Sequence, residues 1–213
     1  MISEAIYLHY LDSLLKGDKK QCTQIVSDLI NNNVPLKDIY IQLFQRSMYR
    51  IGQLWEKERC SVADEHIATK ITESLIETTT SHYLNGHIAG KLAIITCIDK
   101  EFHELGARMV AGFFEVNGWE TLYLGSNTPQ YSLIDLIKER KPDLVGISNN
   151  FYINVIRLQK LIEQIREVDP NLKIIVGGQA LSGGHSDILQ KYSNVKYIAN
   201  LDELENYILN FSN

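Results

Sequence analysis

The chain has 213 residues, of which 45% are apolar and 22% are charged, and its formal net charge is −5. This length suits one or two compact domains, and the apolar content, with only 4 prolines and 13 glycines, excludes a disordered or collagen-like chain. The acidic balance provides no basic surface for nucleic acid, so direct binding to DNA or RNA is not expected.

The N-terminal residues lack the basic and apolar regions of a signal peptide, and apolar runs such as residues 92–98 are too short to cross a bilayer. We therefore expect a cytoplasmic protein that does not contact the membrane. The three cysteines, Cys22, Cys60 and Cys97, contain no CxxC pair, so neither a disulfide framework nor a structural zinc site is expected.

The first part of the chain carries apolar residues at helical spacing, in stripes that cover residues 22–30 and 36–55. Breaks separate four helices at residues 17–18, 31–35 and 59–61. Ser61 and Asp64 have the spacing of a capping box that opens the last of these helices. Short connections between amphipathic helices predict a four-helix bundle, which we place at residues 1–88.

After residue 88 the pattern changes to short β-rich runs that alternate with helical patterns. The candidate strands are residues 92–98, 120–124, 144–148, 173–176 and 196–199, and the helical patterns begin near Leu105, Ser132, Val155, Ser186 and Asp202. Five β/α units predict a doubly wound, flavodoxin-like or Rossmann-like five-stranded parallel sheet at residues 89–213. The expected fold class is therefore α/β, with the helical bundle first, and ligands are expected beyond the carboxyl ends of the strands.

Several familiar catalytic motifs fail on spacing. The segment from Gly86 to Leu92 has three residues between its glycines, where a phosphate-binding loop needs four. His103-Glu104 begins like a zinc protease helix, but Ala107 stands where the second histidine is needed, and neither GxGxxG nor GxSxG occurs. We therefore do not expect the chain to be an enzyme by itself.

The segment after the first candidate strand contains Glu101, His103 and Gly106. An imidazole at this point can ligate a group above the sheet, and Glu101 can hold the other ring nitrogen and so fix the tautomer. Gly106 lets the backbone come close to a ligand. The alternative is that His103 is a solvated loop residue near a helix start.

Small and polar residues follow the other candidate strands. They are Gly125, Asn127, Ser148, Asn150, Gly177 and Gly178. Such residues leave a slot between the sheet and the helices and provide hydrogen bonds inside it, which suits an elongated polar group. Each segment is also compatible with an ordinary strand-to-helix turn.

Together these residues resemble the cobalamin-binding domain family, whose pattern is Asp-x-His-x-x-Gly after the first strand, Ser-x-Leu after the third and Gly-Gly after the fourth. Such domains often follow a four-helix bundle that caps the upper face of the corrin, so the resemblance covers nearly the whole chain. It implies that His103 ligates cobalt from below in place of the dimethylbenzimidazole tail and that Glu101 orients the imidazole. Ser148 and Gly177-Gly178 would line the slot for the displaced tail.

Two residues depart from the family pattern, because Glu101 replaces the aspartate and Asn150 replaces the leucine. The Glu-x-His-x-x-Gly form resembles the cobalamin domains of light-dependent transcriptional regulators. In the bundle, Trp55 is followed by nine residues and then by Glu65-His66. This spacing is similar to that of the regulators that hold adenosylcobalamin, in which the tryptophan packs on the adenosyl group and the Glu-His pair borders it.

Ordinary structural roles remain open for these bundle residues. Trp55 is also compatible with a core tryptophan, and Glu65 and His66 with a charged helix start that the helix dipole favours. Glu56 stands where some of these regulators have a histidine that ligates cobalt after illumination, so the resemblance does not imply a second histidine ligand.

The resemblance implies a cobalamin-binding sensor or regulatory module. Adenosylcobalamin is the preferred cofactor, with methylcobalamin and hydroxocobalamin as other forms, and light is a candidate signal. The expected partners are cobalamin and either another protein or a second copy of the chain. No DNA-binding helix-turn-helix precedes the first helix, so we expect either a fragment of a longer regulator or a stand-alone sensor that acts on a protein partner.

Other functions compete with this interpretation. The main alternative is a corrinoid carrier protein for a cobalamin-dependent methyltransferase. A phosphorylated receiver domain is not indicated, because Ile147-Ser148-Asn149 contains no phosphoacceptor aspartate at the end of the third strand. Flavin binding at the same strand ends stays open.

Overall fold

The computed structural model describes residues 1–211 and has two compact units, of which the first is Met1–Leu84 and the second begins at Asn85. The last two residues of the predicted second domain, 212–213, lie outside the described residues. No helix within residues 1–211 is both long enough and apolar enough to cross a membrane.

The first unit is entirely helical. Its helices are α1 (Glu4–Leu15), α2 (Lys19–Asn31), α3 (Leu36–Asp38), α4 (Arg46–Glu56) and α5 (Val62–Tyr83). A π-helical turn, Ile39–Gln45, joins α3 to α4, so the helical path is continuous from residue 36 to 56. The unit therefore has the four helical segments that the sequence predicts, with a wider turn inside the third.

Side chains from several of these segments form the core of the first unit. Tyr10, Leu14, Tyr40 and Phe44 have no exposed surface, and the ring of Phe44 packs against both Tyr10 and Tyr40 at centroid distances of 6.0 and 6.1 Å. Burying an aromatic or leucine side chain of this kind contributes roughly 1.5–3 kcal/mol. The unit is thus held mainly by apolar contacts between helices.

The predicted capping box is confirmed at the start of α5. The Ser61 hydroxyl accepts a hydrogen bond from the Asp64 amide at 3.1 Å, and the Asp64 carboxylate accepts one from the Ser61 amide at 2.9 Å. These bonds satisfy two backbone donors that a helix start otherwise leaves unpaired.

The second unit is built on a five-stranded parallel sheet. Its strands are β1 (Leu92–Cys97), β2 (Glu120–Gly125), β3 (Leu144–Ser148), β4 (Lys173–Gly177) and β5 (Val195–Tyr197), in the spatial order β2-β1-β3-β4-β5. The helices are α6 (Leu105–Val116), α7 (Gln130–Arg140), α8 (Val155–Val168) and α9 (Leu201–Leu209). The strand order reverses between β1 and β3, which is the point where such sheets bind ligands.

Alternate residues of the strands bury opposite faces of the sheet. Ile94 of β1 packs in a cluster with Leu158 and Ile162 of α8, whereas Ile95 packs in a second cluster with Phe114 of α6. Because both faces are covered by helices, the strands are largely apolar. This confirms the predicted α/β class and the doubly wound sheet.

The connection from β4 to β5 differs from the prediction of an α-helix near Ser186. It contains two short 3₁₀ helices, Gln179–Leu181 and His185–Leu189. Gly183 and Gly184 both have positive φ and separate these two helices, because residues of this conformation do not continue a right-handed helix.

Candidate functional site

The candidate site forms where β1, β3 and β4 end together. Cys97 of β1 is paired with Ser148 of β3, and Ser148 is paired with Gly177 of β4. Because the three strands are adjacent and parallel, the loops that follow them begin at the same level of the sheet edge. The register therefore brings three of the predicted segments together.

A tight turn after β1 directs Glu101 into the protein. Lys100 adopts a left-handed conformation with φ of 64°, and the Glu101 amide donates to the carbonyl of Ile98 at 3.0 Å. The Glu101 side chain has no exposed surface. A carboxylate buried to this extent needs several hydrogen-bond donors.

Three N–H groups supply those hydrogen bonds. Glu101 Oε1 accepts from the His103 amide at 3.0 Å and contacts His103 Nδ1 at 2.9 Å, while Oε2 accepts from the Asn150 amide at 2.9 Å. Burial by itself raises the pKa of the Glu101 carboxyl, but the bonds from His103 and Asn150 outweigh it and hold that pKa below its ordinary value. The carboxylate is therefore ionised at neutral pH.

An ionised Glu101 determines which nitrogen of His103 carries the proton. A carboxylate only accepts hydrogen bonds, so the Nδ1 atom that contacts it must be the donor. In the neutral imidazole the lone pair is then on Nε2. The His103 side chain is 65% exposed, and its ring packs edge-on against Phe151 with 5.0 Å between the centroids. The arrangement presents an oriented imidazole at the sheet edge.

Asn150 joins the loops around His103. Its side-chain Nδ2 donates to the His103 carbonyl at 3.1 Å, and its Oδ1 accepts from the Gln179 amide at 3.3 Å. The loops after β1, β3 and β4 thus share one amide side chain.

The loop after β2 is tied to the same segment. The Asn127 amide donates to the Glu101 carbonyl at 3.0 Å, and the Lys100 amide donates to Asn127 Oδ1 at 3.1 Å. Glu104 accepts from the Ser126 amide at 2.8 Å. Gly125 and Asn127 take positive φ values of 74° and 52°, which allow this loop to turn back over β1.

The predicted glycines differ in how much room a Cβ atom would have at each position. Gly178 has φ of 92°, and a Cβ atom there would lie 2.2 Å from the carbonyl oxygen of Asn149. At Gly177 the nearest atom would be the Ile198 carbonyl oxygen at 3.8 Å, and at Gly106 no described atom lies within 4 Å. Gly178 is required for the close approach of two loops, whereas a Cβ atom would make an ordinary contact at Gly177 and would meet open space at Gly106.

Asn149 is a buried residue at this edge that the sequence pattern did not single out. Its side chain has no exposed surface, and within residues 1–211 neither its Nδ2 nor its Oδ1 atom has a hydrogen-bond partner. Unmatched buried amides are rare and costly, and a polar ligand atom or an ordered water satisfies them. The Ser-Asn-Asn run was the available signal in the sequence, but the orientation of its side chains cannot be read from it.

Phe151 and Gln179 were also missed. Phe151 contacts the His103 ring, and Gln179 bonds to Asn150 through its backbone amide. Both follow directly on predicted site residues, so proximity in the chain was a usable signal. Cys97 is not a candidate nucleophile, because burial raises the pKa of its thiol to about 12.

The predicted residues of the first unit lie around the connection from α4 to α5. Trp55 is 49% exposed, and a Cβ atom placed on Gly52, about one helical turn earlier, would have no described atom within 4 Å. Glu65 accepts from the Thr69 hydroxyl at 2.7 Å and lies 3.6 Å from His66 Nε2, whose side chain is 72% exposed. Trp55 is therefore not buried in the helical core.

The second unit has a histidine at the sheet edge that is bonded to a buried carboxylate. This arrangement, on a doubly wound α/β unit after a helical unit, is typical of proteins that hold a ligand above the strand ends. A family model described as a B12 binding domain matches residues 91–203, and a second B12 binding domain model matches residues 9–79. The first match covers more than half of the chain, which therefore belongs to the B12 binding domain family and binds cobalamin.

Individual relatives include carriers and a regulator. The chain is 29% identical over 96 residues to trimethylamine corrinoid protein 2 of Methanosarcina acetivorans, a match that covers 44% of each chain. It is 24% identical over 165 residues to the HTH-type transcriptional repressor CarH of Myxococcus xanthus, covering 76% of this chain and 54% of CarH. The chain thus spans about half the length of these two relatives.

A solved structure has the same fold over almost the whole length. The monomethylamine corrinoid protein of Methanosarcina barkeri matches with a TM-score of 0.83 and 15% identity, covering 98% of this chain and 99% of that one. At this identity the match supports the fold.

The geometry of the second unit fits cobalamin. His103 provides an imidazole whose tautomer is set for ligation through Nε2. A Cβ atom at Gly177 would make only an ordinary contact at 3.8 Å, and the buried amide of Asn149 provides unmatched hydrogen-bonding atoms at the end of β3. The residues present are therefore suitable for a corrin above the sheet edge.

Proposed function

We propose that the protein is a cobalamin-dependent regulatory module that ligates cobalt through His103 Nε2 and responds to the upper ligand, with adenosylcobalamin preferred. Cobalamin supplies a cobalt centre with an exchangeable upper ligand. The contribution of the chain is to bind the corrin, orient the imidazole and recognise that ligand.

Orientation of the imidazole rests on the second unit. Glu101 keeps the proton on Nδ1, and the edge contact with Phe151 restricts rotation of the ring. A ligating histidine whose other nitrogen is bonded to a carboxylate is a stronger and better-oriented donor. Ser148, Gly177 and Gly178 are proposed to line the slot for the tail, with Gly125 and Asn127 supporting the loop beside it.

Recognition of the upper ligand rests on the first unit. The observation that carries the preference for adenosylcobalamin is the half-exposed indole of Trp55 beside the open surface at Gly52. A flat apolar ring on a helix surface is suited to packing on an adenine base. Glu65 and His66 provide polar atoms in the first turns of α5, which suits ribose hydroxyl groups.

A corrinoid carrier for a methyltransferase is the second candidate. It is supported by the 29% identity over 96 residues to trimethylamine corrinoid protein 2 of Methanosarcina acetivorans. In that function the upper ligand is a methyl group, which is too small to need the indole of Trp55. The two candidates therefore differ in what Trp55 does.

Binding measurements with Trp55→Ala separate them. We expect the affinity for adenosylcobalamin in the dark to fall about tenfold or more, which corresponds to ~1.4 kcal/mol, while the affinity for methylcobalamin changes little. Tyr49→Ala is the matched control, because Tyr49 is a 50% exposed aromatic residue on the same helix. No loss for either cofactor favours the carrier, whereas equal losses for both indicate general damage to the helical unit.

Light provides a second test of the regulatory proposal. The dark holo protein and the same sample after green illumination are compared by absorption and by light scattering after size exclusion. A regulatory module that uses the adenosyl ligand is expected to change its mass or elution volume when the ligand is lost. A spectral change with constant mass and elution volume would confine the light effect to the cofactor.

A further inference from the structure

We propose that Asn150 is a positioning residue for His103, and that it couples the His103 loop to the loop that contains Gly177 and Gly178. This inference rests on the proposed ligation of cobalt by His103. It concerns the residue at which the chain departs from the leucine of the family pattern.

Three loops meet at Asn150. The backbone amide of Asn150 donates to Glu101 at 2.9 Å, its Nδ2 donates to the His103 carbonyl at 3.1 Å, and its Oδ1 accepts from the Gln179 amide at 3.3 Å. These partners lie after β1 and β4, while Asn150 follows β3. A half-buried side chain therefore connects both neighbours of the central strand.

The side chain of Asn150 makes hydrogen bonds that a leucine cannot make. A leucine keeps the backbone N–H and hence the bond to Glu101, but it has neither the donor for the His103 carbonyl nor the acceptor for the Gln179 amide. Asn150 thus adds a link between the two loops that a hydrocarbon side chain cannot make. The Glu101–His103 contact itself does not require this link.

Backbone contacts connect the loops around Asn150. The loops after β3 and β4 are already joined by the bond from the Ala180 amide to the Asn149 carbonyl at 3.1 Å and by the close approach of Gly178. On the other side, the His103 carbonyl accepts from Asn150 Nδ2 at 3.1 Å and, more weakly, from the Cys97 thiol at 3.8 Å. A displacement at Gly178 or Gln179 is consequently transmitted to the His103 backbone through Asn150.

The expected consequence is that filling the tail slot changes the position of the imidazole. A group that enters beside Gly177 moves or fixes the loop after β4, and the Asn150 amide passes that change to the His103 carbonyl. Ligation of cobalt by His103 then depends on whether the corrinoid has a tail.

The first experiment measures amide hydrogen exchange in the protein without cofactor. In Asn150→Leu the Gln179 amide loses its acceptor directly, so its faster exchange is uninformative about coupling. The informative amide is that of His103, whose acceptor is Glu101, and we expect its exchange to accelerate roughly 5- to 30-fold. Asn171→Leu is the matched control, because Asn171 is exposed and precedes β4 at the opposite edge of the sheet.

The second experiment compares cobalamin with cobinamide, which has the same corrin without the nucleotide tail. The absorption spectrum reports the fraction of cobalt that carries imidazole. We expect this fraction to be higher with cobalamin than with cobinamide in the parent protein and in Asn171→Leu, and to be equal for the two corrinoids in Asn150→Leu. Asn150→Ala removes the same bonds without a branched side chain and is expected to behave like Asn150→Leu.

The outcomes separate this inference from the proposed function. If the parent protein binds neither corrinoid, the proposed function is wrong and the exchange measurement still decides whether the loops are coupled. If the corrinoids bind but Asn150→Leu keeps the difference between them, or if only Gln179 exchanges faster, Asn150 is not a positioning residue for His103.

Discussion

The carboxylate of Glu101 has no exposed surface, yet it lies 2.9 Å from Nδ1 of His103, whose side chain is 65% exposed. The pair therefore connects the interior of the sheet domain to the edge where β1, β3 and β4 end. The buried member determines the tautomer, and the exposed member is the group that we propose to meet the ligand. This division explains how an exposed side chain keeps a defined orientation.

Replacement of His103 by alanine removes the proposed lower ligand of cobalt. We expect the absorption spectrum of bound cobalamin to lose the features of imidazole ligation, because the alanine side chain has no atom that can ligate a metal. His185→Ala is the control, since His185 is an exposed histidine in the same unit. A spectrum that is unchanged in His103→Ala would remove this residue from the site.

Replacement of Glu101 by glutamine tests the acceptor-only character of the buried group. The carboxylate receives three N–H groups on its two oxygens, and a glutamine has one oxygen and an NH₂ group. The glutamine NH₂ group then faces at least one of these N–H groups inside the protein, where neither donor has an acceptor. We therefore expect the free energy of unfolding to fall by roughly 1–3 kcal/mol. Urea unfolding of the variant measures this loss.

Glu120→Gln is the control for that measurement, because Glu120 is an exposed carboxylate at the start of β2. It is expected to stay within about 0.5 kcal/mol of the parent protein. Equal stability of Glu101→Gln and the parent protein would show that the buried carboxylate is not needed as an acceptor for all three groups.

The order of the strands and helices was predictable because it depends on local patterns. Short β-rich runs identified all five strands, and the predicted and observed bounds of β3 agree at residues 144–148. The sequence predicted an α-helix near Ser186 because Ile188 and Leu189 fit a helical spacing. The structure has short 3₁₀ helices there, on either side of the positive-φ residues Gly183 and Gly184. The π-helical turn at Ile39–Gln45 was missed because the apolar stripe is similar for both helix types.

The candidate site was predictable only in part, for a different reason. The contact between Glu101 and His103 joins residues two apart, so sequence spacing was sufficient to suggest it. The bonds from Asn150 to His103 and Gln179 join residues 47 and 29 positions apart. Such bonds depend on the register of three strands and on one rotamer, neither of which a sequence pattern specifies.

The capping box of α5 gives a prediction about pH. The bonds from Ser61 hold the pKa of the Asp64 carboxyl below its ordinary value. A depressed pKa in the folded state means that the ionised Asp64 stabilises the protein above its unfolded-state pKa, and that this contribution is lost as the pH falls through the folded-state pKa. We expect Asp64→Ala to be less stable than the parent protein at pH 7 and the difference to shrink below about pH 4.

Thermal unfolding of both proteins between pH 7 and pH 3 measures that difference. Asp12→Ala serves as the control, because Asp12 is an exposed carboxylate whose ion pair with Lys16 lies on the surface of α1. A constant difference between Asp64→Ala and the parent protein over this range would mean that ionisation of Asp64 does not contribute to the cap.

The neighbouring glycines Gly177, the last residue of β4, and Gly178, the next residue, give opposite predictions for stability and binding. In Gly178→Ala the new Cβ atom lies 2.2 Å from the Asn149 carbonyl oxygen at a φ of 92°, so backbone strain and overpacking together cost roughly 2–6 kcal/mol. In Gly177→Ala the nearest atom is 3.8 Å away, which is an ordinary contact, and the stability is expected to stay within about 1 kcal/mol of the parent.

Binding of cobalamin and cobinamide then separates structure from function at these glycines. If Gly177 lines the tail slot, Gly177→Ala is expected to fold normally and to lose affinity for cobalamin, because the added methyl group occupies space that the tail needs. Its affinity for cobinamide, which has no tail, is expected to stay the same. Equal losses of affinity for both corrinoids would mean that the methyl group interferes with the corrin rather than with the tail. An unchanged affinity for cobalamin would mean that Gly177 does not line the slot.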